Sequence, residues 1–333
     1  MSVVNAENTI GPTVSKKVSK AERFKKDLRW AGSNWPLYAM LVPGFIATLL
    51  FSYLPMFGIV IAFKKLNFQS GIFGSEWVGL RNFRALFRNE SVWIAVRNTL
   101  VYNIGFIVTG LIISVALAIA LSLLKNKLLS KIYQTVYIMP HFLSMVVVAY
   151  LVYAFLNMES GFINNSLLPA VLGENAEKIN WYTKTGAWPV ILFIVNTWKT
   201  AGYNGIVYLA AIAGIDTELY EAAEIDGAKT WQQIKHITIP SIAQLMIIMT
   251  ILNIGKILTS DFGLFYTVTM NSGSLYPSTL VVNTYVYNLM TGAGASGVGM
   301  SAAASMLQSV IGMILVVGSN MVVKRIDEES SLF

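Results

Sequence analysis

The sequence predicts an all-α membrane protein with six transmembrane helices. Of its 333 residues, 55% are hydrophobic and only 12% are charged, whereas a soluble domain carries about 25% charged residues. The mean hydropathy is +0.59. Six apolar runs each reach roughly the 20 residues that a helix needs to cross the hydrocarbon core of a bilayer. These observations exclude a soluble globular fold.

The residues present also exclude several kinds of chemistry. The chain has no Cys and two His, and His141 and His236 are too few and too far apart for a metal site. No phosphate-cradling Gly-rich loop with Lys-Ser/Thr, no His-Glu-x-x-His and no Gly-x-Ser-x-Gly pattern occurs. We therefore expect a chain that is not an enzyme and that binds no cofactor or metal itself.

The first element is a polar, basic arm over residues 1–36. Its lysines and arginines favour the cytoplasmic side of a membrane, and the arm either lies on the membrane as a helix or stays solvated. The net charge of +7 is thus expected to reflect membrane orientation and not nucleic-acid binding. No convincing cleavage site follows the arm, so we expect it to be retained and not to act as a signal peptide.

Polar segments divide the rest of the chain into spans. Proline and glycine at Pro43, Gly44 and Pro55 are expected to bend the first span, and Pro140 lies in the first half of the third. Trp77–Phe87 is predicted as an interfacial helix, and a tail over 324–333 ends the chain. The six spans are predicted over residues 37–63, 98–124, 132–156, 187–213, 241–262 and 300–323, and a cytoplasmic loop over 214–240.

Six crossings place both termini and the 214–240 loop on one side. The inferred cytoplasmic segments carry 14 of the 24 Lys and Arg residues, and the outer segments carry eight. This bias supports the orientation. The first crossing is the weakest part of the assignment, because six of the outer basic residues follow it.

The loop between the fourth and fifth spans is predicted to form a pair of short helices. Asp216 or Thr217 can cap the first helix, and Gly227 can end it by adopting a backbone angle that other residues resist. Pro240 is expected in the first turn of the fifth span, where its missing N–H costs nothing. Ala222 and Ala223 leave a smooth surface that the backbone of another protein can approach.

The loop resembles the EAA loop of the membrane permease subunits of bacterial ABC importers. Nine positions match at fixed spacing, namely Glu221, Ala222, Ala223, Asp226, Gly227, Ala228, Trp231, Ile237 and Pro240. Trp198–Gly202 resembles the sugar-importing branch of these permeases. Pro55–Phe63 and the ending Glu329–Phe333 are similar to its polysaccharide and oligosaccharide subgroup. The alternative for the loop is an interfacial amphipathic helix without a partner.

The resemblance implies a type I ABC importer permease fold in the bacterial cytoplasmic membrane. It also implies a coupling helix that fits into a cleft of a separate ATPase, with ATP and Mg²⁺ bound there. The implied partners are a second six-span permease, two copies of the ATPase, an extracytoplasmic sugar-binding protein, an oligosaccharide and membrane lipid. The expected mechanism is alternating access driven by ATP binding and hydrolysis.

Polar residues in the fourth and fifth spans are candidates to line the path of the cargo. Ionisable groups at that depth are costly unless they face water or a partner. Asn196, Lys199 and Tyr203 are expected to share one face of the fourth span, and Asn253, Lys256 and Ser260 one face of the fifth. Alternatively, Asn253 bonds across helices and Lys256 pairs with Asp261 or reaches the second permease.

The two lysines suggest an anionic oligosaccharide such as a uronate as cargo, because a cation can offset a carboxylate in a poorly hydrated channel. Three other functions remain open on the residues alone. They are an ABC permease for peptides or amino acids, a secondary transporter, for which Asp261 lies too close to a span end, and a membrane scaffold.

Overall fold

The computed structural model describes Trp30 and residues 34–326, with the side chain of Ile326 left out. Most of the predicted basic arm over residues 1–36, and the tail beyond Ile326, therefore lie outside the described residues. The chain divides into two units, Met1–Gly58 and Ile59–Phe333.

The first unit contains helix α1, Trp35–Thr48, followed by a π-helical turn at Leu49–Tyr53. A 3₁₀ helix then starts at Leu54, one residue before Pro55, and ends at Phe63. Proline lacks the N–H that an α-helical bond would need. The helix therefore changes its hydrogen-bond pattern close to one of the prolines that the sequence singled out.

In the second unit, which starts at Ile59 within the 3₁₀ helix, a small β-ribbon follows. Strand β1, Lys64–Lys65, pairs antiparallel with β2, Glu76–Trp77. The loop that connects the two strands contains the short helix α2, Gly71–Gly74. Trp77 stacks on Phe63 with ring centroids 5.7 Å apart. The predicted interfacial helix over Trp77–Phe87 is thus wrong at its start, because Trp77 is in the ribbon.

Helix α3, Arg81–Arg88, buries Phe83 and Leu86. Its Asn82 fastens it to the ribbon by donating to the carbonyl oxygens of Ala62 and Lys64, each at 2.9 Å. Helix α4, Glu90–Ser122, follows after Asn89, whose side chain accepts from the Ser91 N–H at 3.0 Å. The second span was predicted to begin at Asn98, and this cap starts it eight residues earlier.

The third predicted span is broken. Helix α5, Lys127–Ile138, passes through a 3₁₀ turn at Met139–Phe142 before α6, Met145–Leu156, begins. The two parts meet at an angle of 96°. Pro140 lies in the turn, and the Ser144 hydroxyl caps α6 by accepting from the Val147 N–H at 3.3 Å.

A connection with its own short helices leads to α8. It contains a π-helical turn at Ile163–Leu167, α7 at Leu168–Leu172 and two 3₁₀ turns at Trp181–Thr183 and Thr185–Ala187. Helix α8, Trp188–Ala213, packs along α4. Trp188, Leu192 and Phe265 are among the residues of the largest buried cluster.

After α8 come α9, Thr217–Ile225, and α10, Thr230–Gln233. A π-helical turn at Ile234–Thr238 joins α10 to α11, Ile239–Gly255, so that Thr230–Gly255 is one helical stretch. The fifth span was predicted over 241–262. The observed helical stretch starts before residue 241, because the π turn joins α10 to α11, and Pro240 lies in the first turn of α11. The stretch ends at Gly255, before the predicted residue 262.

The connection to the last span is also structured. It contains a π-helical segment at Gly263–Val268, α12 at Tyr276–Thr279 and α13 at Val282–Gly292. Helix α14, Gly294–Ile326, packs on α13, α11 and α3. The sixth span therefore begins before the predicted residue 300.

Within residues 34–326, four helical stretches are long and apolar enough to cross a membrane, and the bent α5–α6 pair can supply a fifth crossing. The predicted fourth span, α8, has sufficient length at 26 residues, but it is absent from this set because its polar residues lower its hydropathy. The four stretches are Trp35–Phe63, Glu90–Ser122, Thr230–Gly255 and Gly294–Arg325.

Candidate functional site

The first candidate site is the hairpin formed by α9, α10 and the turn between them, residues 216–238. Asp216 starts α9 by accepting from the Glu218 N–H at 3.0 Å. Gly227 ends it with φ of +78°. The N–H of Gly227 donates to the Glu224 carbonyl at 3.0 Å and that of Ala228 to the Ala223 carbonyl at 2.8 Å, which is the Schellman pattern of a glycine-terminated helix.

A side-chain hydrogen bond joins α9 to the π-helical turn that leads into α11. The hydroxyls of Tyr220 and Thr238 lie 2.9 Å apart, and Thr238 is buried. On the far side of the turn, the Lys229 N–H donates to the Gln232 side chain at 2.7 Å. Helix α9 is therefore in direct contact with the helical stretch that begins at Thr230.

The outer surface of the hairpin is open in this chain. No residue of α9 is buried, and Glu221, Ala222, Asp226 and Gly227 are exposed while Ala223 and Ala228 are half-buried. Apolar side chains stand beside them, since Ile225 is 87% exposed and Trp231 69% exposed. Exposed apolar residues around a small-residue helix are typical of a protein-binding surface.

The second candidate site is a cavity of about 250 Å³ between α4, α8 and the end of α11. Its wall is rich in amides and hydroxyls, which suit the hydrogen-bonding groups of a sugar. The polar lining residues are Asn103, Asn196, Thr200, Asn204, Tyr208, Thr250, Asn253, Lys256, Thr259 and Asp261.

The chain leaves helical geometry beside this cavity, after Gly255. Asn103 of α4 donates to the Ile257 carbonyl at 2.7 Å and to the Ser260 hydroxyl at 3.2 Å. Gln308 of α14 donates to the Leu258 carbonyl at 2.6 Å. Backbone groups within a membrane must find partners inside the protein, and these two amides supply them.

The break between α5 and α6 is stabilised in a similar way. The Lys199 ammonium donates to the carbonyl oxygens of Pro140 and His141, at 3.3 and 3.2 Å, and also to that of Leu143. The ring of Tyr203 stacks on that of His141 with centroids 4.3 Å apart. Both side chains of α8 thus support the turn between α5 and α6.

The structure separates the six residues predicted for the cargo path. Asn196, Asn253 and Lys256 line the cavity, and Ser260 is buried at its edge. Lys199 and Tyr203 lie on the side of α8 that meets the α5–α6 turn, so the expectation that they share the face of Asn196 is wrong. No ion pair joins Lys256 to Asp261, although both are described. Asp261 instead accepts from the Leu264 N–H at 2.8 Å.

The sequence contained a signal for the cavity residues that the prediction missed. Thr200, Asn204 and Tyr208 follow the predicted residue Asn196 at intervals of four, which places all four along one stripe of a helix. Asn103 carried a weaker signal, as a single amide within an apolar span.

Comparison with known proteins gives the family. The profile of the binding-protein-dependent transport system inner membrane component family matches residues 110–328. The polygalacturonan/rhamnogalacturonan transport system permease protein YteP of Bacillus subtilis (strain 168) is 34% identical over 96% of this chain and 97% of its own length. The lactose transport system permease protein LacF of Rhizobium radiobacter is 33% identical over 64% of this chain and 70% of its own length.

Solved structures agree with the sequence comparison. A chain of a bacterial ABC transporter involved in the import of the acidic polysaccharide alginate superimposes with a TM-score of 0.80 at 33% identity, covering 92% of this chain and all of that chain. The same kind of transporter in complex with an alginate pentasaccharide-bound periplasmic protein gives a TM-score of 0.79. The chain therefore belongs to the family of inner-membrane permease subunits of binding-protein-dependent ABC importers.

Proposed function

We propose that this permease subunit imports an acidic oligosaccharide or polysaccharide fragment, with a second permease, two ATPases and an extracytoplasmic binding protein. The observation that carries the proposal is the exposed Lys256 ammonium in a cavity whose other polar lining groups are amides, hydroxyls and the single carboxylate of Asp261. The polysaccharides named for YteP and for the alginate transporter support the same class of cargo.

Lys256 suits a carboxylate because, within residues 34–326, no ion pair joins its ammonium to a carboxylate. Asp261, which also lines the cavity, accepts from the Leu264 N–H instead. A sugar hydroxyl bonded to the ammonium already contributes about 1.5–3 kcal/mol, as hydrogen bonds to charged groups do. A carboxylate adds a direct attraction between opposite charges, which is stronger in a poorly hydrated site than in water. Lys256 is therefore the residue on which discrimination between acidic and neutral cargo rests.

Transport measured in proteoliposomes tests this proposal. Lys256→Met is expected to lower uptake of an acidic oligosaccharide about tenfold or more, with a much smaller effect on a neutral oligosaccharide of equal length. Lys199→Met serves as the comparison. Because the Lys199 ammonium donates to backbone carbonyl oxygens, its loss should reduce the uptake of acidic and neutral cargo alike. Equal losses of both cargoes in Lys256→Met would contradict the acidic-cargo proposal.

A neutral sugar is the second candidate cargo, because LacF is a lactose permease. The amides and hydroxyls of the cavity suit neutral sugar hydroxyls as well. Stimulation of ATP hydrolysis in the reconstituted complex by a panel of acidic and neutral oligosaccharides, each with its binding protein, separates the two.

We further propose that the hairpin is the coupling element, with Glu221, Ala222, Ala223, Asp226, Gly227, Ala228 and Pro240 as its defining residues. Three features support this role: the open small-residue surface of α9, the glycine-ended turn, and the Tyr220–Thr238 bond to the fifth span. ATP-driven movement of the docked ATPases would rotate α9 and rock the spans, so that the cavity opens alternately to the two sides.

A further inference from the structure

A second cavity is separate from the one that contains Lys256. It is a groove of about 730 Å³ bounded by the end of α4, the first turns of α5, the end of α8 and the inner side of the hairpin. We call it the basic groove. It lies where spans end and polar loops begin, which is the depth of lipid headgroups.

The charged residues that line the groove are both positive. Lys127 and Lys131 line it from successive turns of α5, at a spacing of four residues that places them on one face of the helix. Both are exposed, and no Asp or Glu lines the groove. Ser130 and Gln134, joined by a bond of 3.0 Å, add neutral hydrogen-bonding groups on the same face.

The opposite wall of the groove is apolar. Ile206 and Leu209 come from α8, Ile119 and Leu123 from the end of α4, and Ile234 from the start of the fifth span. A soluble anion would gain nothing from this wall. An anion attached to a hydrocarbon chain would place its head at the lysines and its chain along the apolar side.

We propose that the basic groove binds an anionic phospholipid, with its phosphate at Lys127 and Lys131 and its acyl chains along α8. Basic pockets between helices at the membrane surface bind such headgroups in general. Tyr220 and Thr238, whose hydroxyls are 2.9 Å apart, also line the groove. The lipid would thus contact the bond that joins the hairpin to the fifth span.

Segments of the same chain are poorer occupants. The N-terminal arm carries an excess of Lys and Arg and would be repelled. Asp327, Glu328 and Glu329 are acidic, and truncation after Ile326 separates this tail from a lipid as the occupant. The long apolar wall of the groove favours lipid.

Native mass spectrometry of the complete transporter, released from bilayers of mixed phosphatidylglycerol and phosphatidylcholine, tests the proposal. The wild type should retain phosphatidylglycerol selectively, and Lys127→Gln with Lys131→Gln should lower the retained amount roughly tenfold or more. The control pair Lys125→Gln with Lys184→Gln removes the same charge from residues outside the groove and should retain lipid as the wild type does. Truncation after Ile326 should also leave retention unchanged.

A second measurement does not depend on the lysine variants. Because the chain has no Cys, Ser130→Cys places a single thiol of this subunit in the groove. Maleimide labelling of that thiol should be several-fold slower in phosphatidylglycerol bilayers than in phosphatidylcholine bilayers. Labelling that is independent of the lipid, unchanged retention in the double-lysine variant, or photo-cross-linking of the thiol to the ATPase or second permease would each overturn the proposal.

Discussion

Gly227 shows how a single residue determines the shape of the hairpin. Its φ of +78° lies in the left-handed region, where a side chain costs roughly 1–2 kcal/mol, and more for a β-branched residue. No atom lies within 4 Å of a Cβ placed there. Glycine is thus needed at position 227 because of the backbone angle, and not because a side chain would lack space.

Gly227→Val is therefore expected to distort the turn after α9 and to uncouple ATP hydrolysis from uptake, with uptake reduced at least several-fold while the subunits still assemble. Gly173→Val is the matched control, because Gly173 has φ of +96° in the connection before α8 and also has no neighbour within 4 Å. Uptake and ATPase activity measured in the same vesicles check this. Normal uptake by Gly227→Val would remove the coupling role from the hairpin.

Glu221 provides a test of the surface of the hairpin. Its side chain is exposed, so Glu221→Lys should leave the fold and thermal stability unchanged while reversing the charge presented to the ATPase. We expect reduced co-purification of the ATPase with the permease. Glu174→Lys reverses the charge of a residue that is also exposed but lies outside the hairpin, and this variant should retain the ATPase normally. Equal recovery of the ATPase with both variants would contradict docking at Glu221.

At the scale of elements, the sequence predicted where helices lie better than where they stop. Each of the six apolar runs contains helix, although only four of the helical stretches are long and apolar enough by themselves to cross a membrane. Asp216 and Gly227 correctly bounded α9. The end at Gly255 was missed because Ile257 and Leu258 continue the apolar pattern. What ends the helix is tertiary, since the backbone groups freed there depend on Asn103 and Gln308, which are distant in sequence.

The candidate site was predicted in part for a related reason. The hairpin follows from local signals, namely a cap, a glycine and small residues. The role of Lys199 depends on α8 meeting the α5–α6 turn, and a lysine in a span looks the same in the sequence whether it faces a cavity or carbonyl oxygens. Only the contacts with Pro140 and His141 distinguish the two.

The break after Gly255 gives a prediction for stability. Asn103→Leu removes the donor to the Ile257 carbonyl and leaves that oxygen unsatisfied, which should lower the free energy of unfolding by about 1–3 kcal/mol. Asn34→Leu is the control, because the bond of the Asn34 amide to the Trp30 carbonyl at 2.8 Å is exposed and water can replace it. Denaturant titration in detergent measures both variants, and equal losses would contradict a special role for Asn103.

At the scale of the whole molecule, the number of crossings depends on α8. Its polar stripe lowers its hydropathy, yet it packs along α4 and its Trp188 and Leu192 are fully buried. A helix whose polar face lines a cavity and whose other faces meet neighbouring helices can cross a membrane without a strongly apolar sequence. We therefore predict that α8 is a span and that the chain crosses six times.

Single-cysteine mapping tests the six crossings directly, because the chain has no Cys of its own. Ser70→Cys and Glu174→Cys should react with a membrane-impermeant maleimide only from outside the cell, and Lys125→Cys and Gly214→Cys only in inside-out vesicles. All four positions are exposed, and none belongs to the proposed docking surface. If α8 does not cross, Glu174→Cys and Gly214→Cys will label from the same side. The hairpin and the turn after α4 would then lie on opposite faces of the membrane, and a cytoplasmic ATPase could not reach the hairpin.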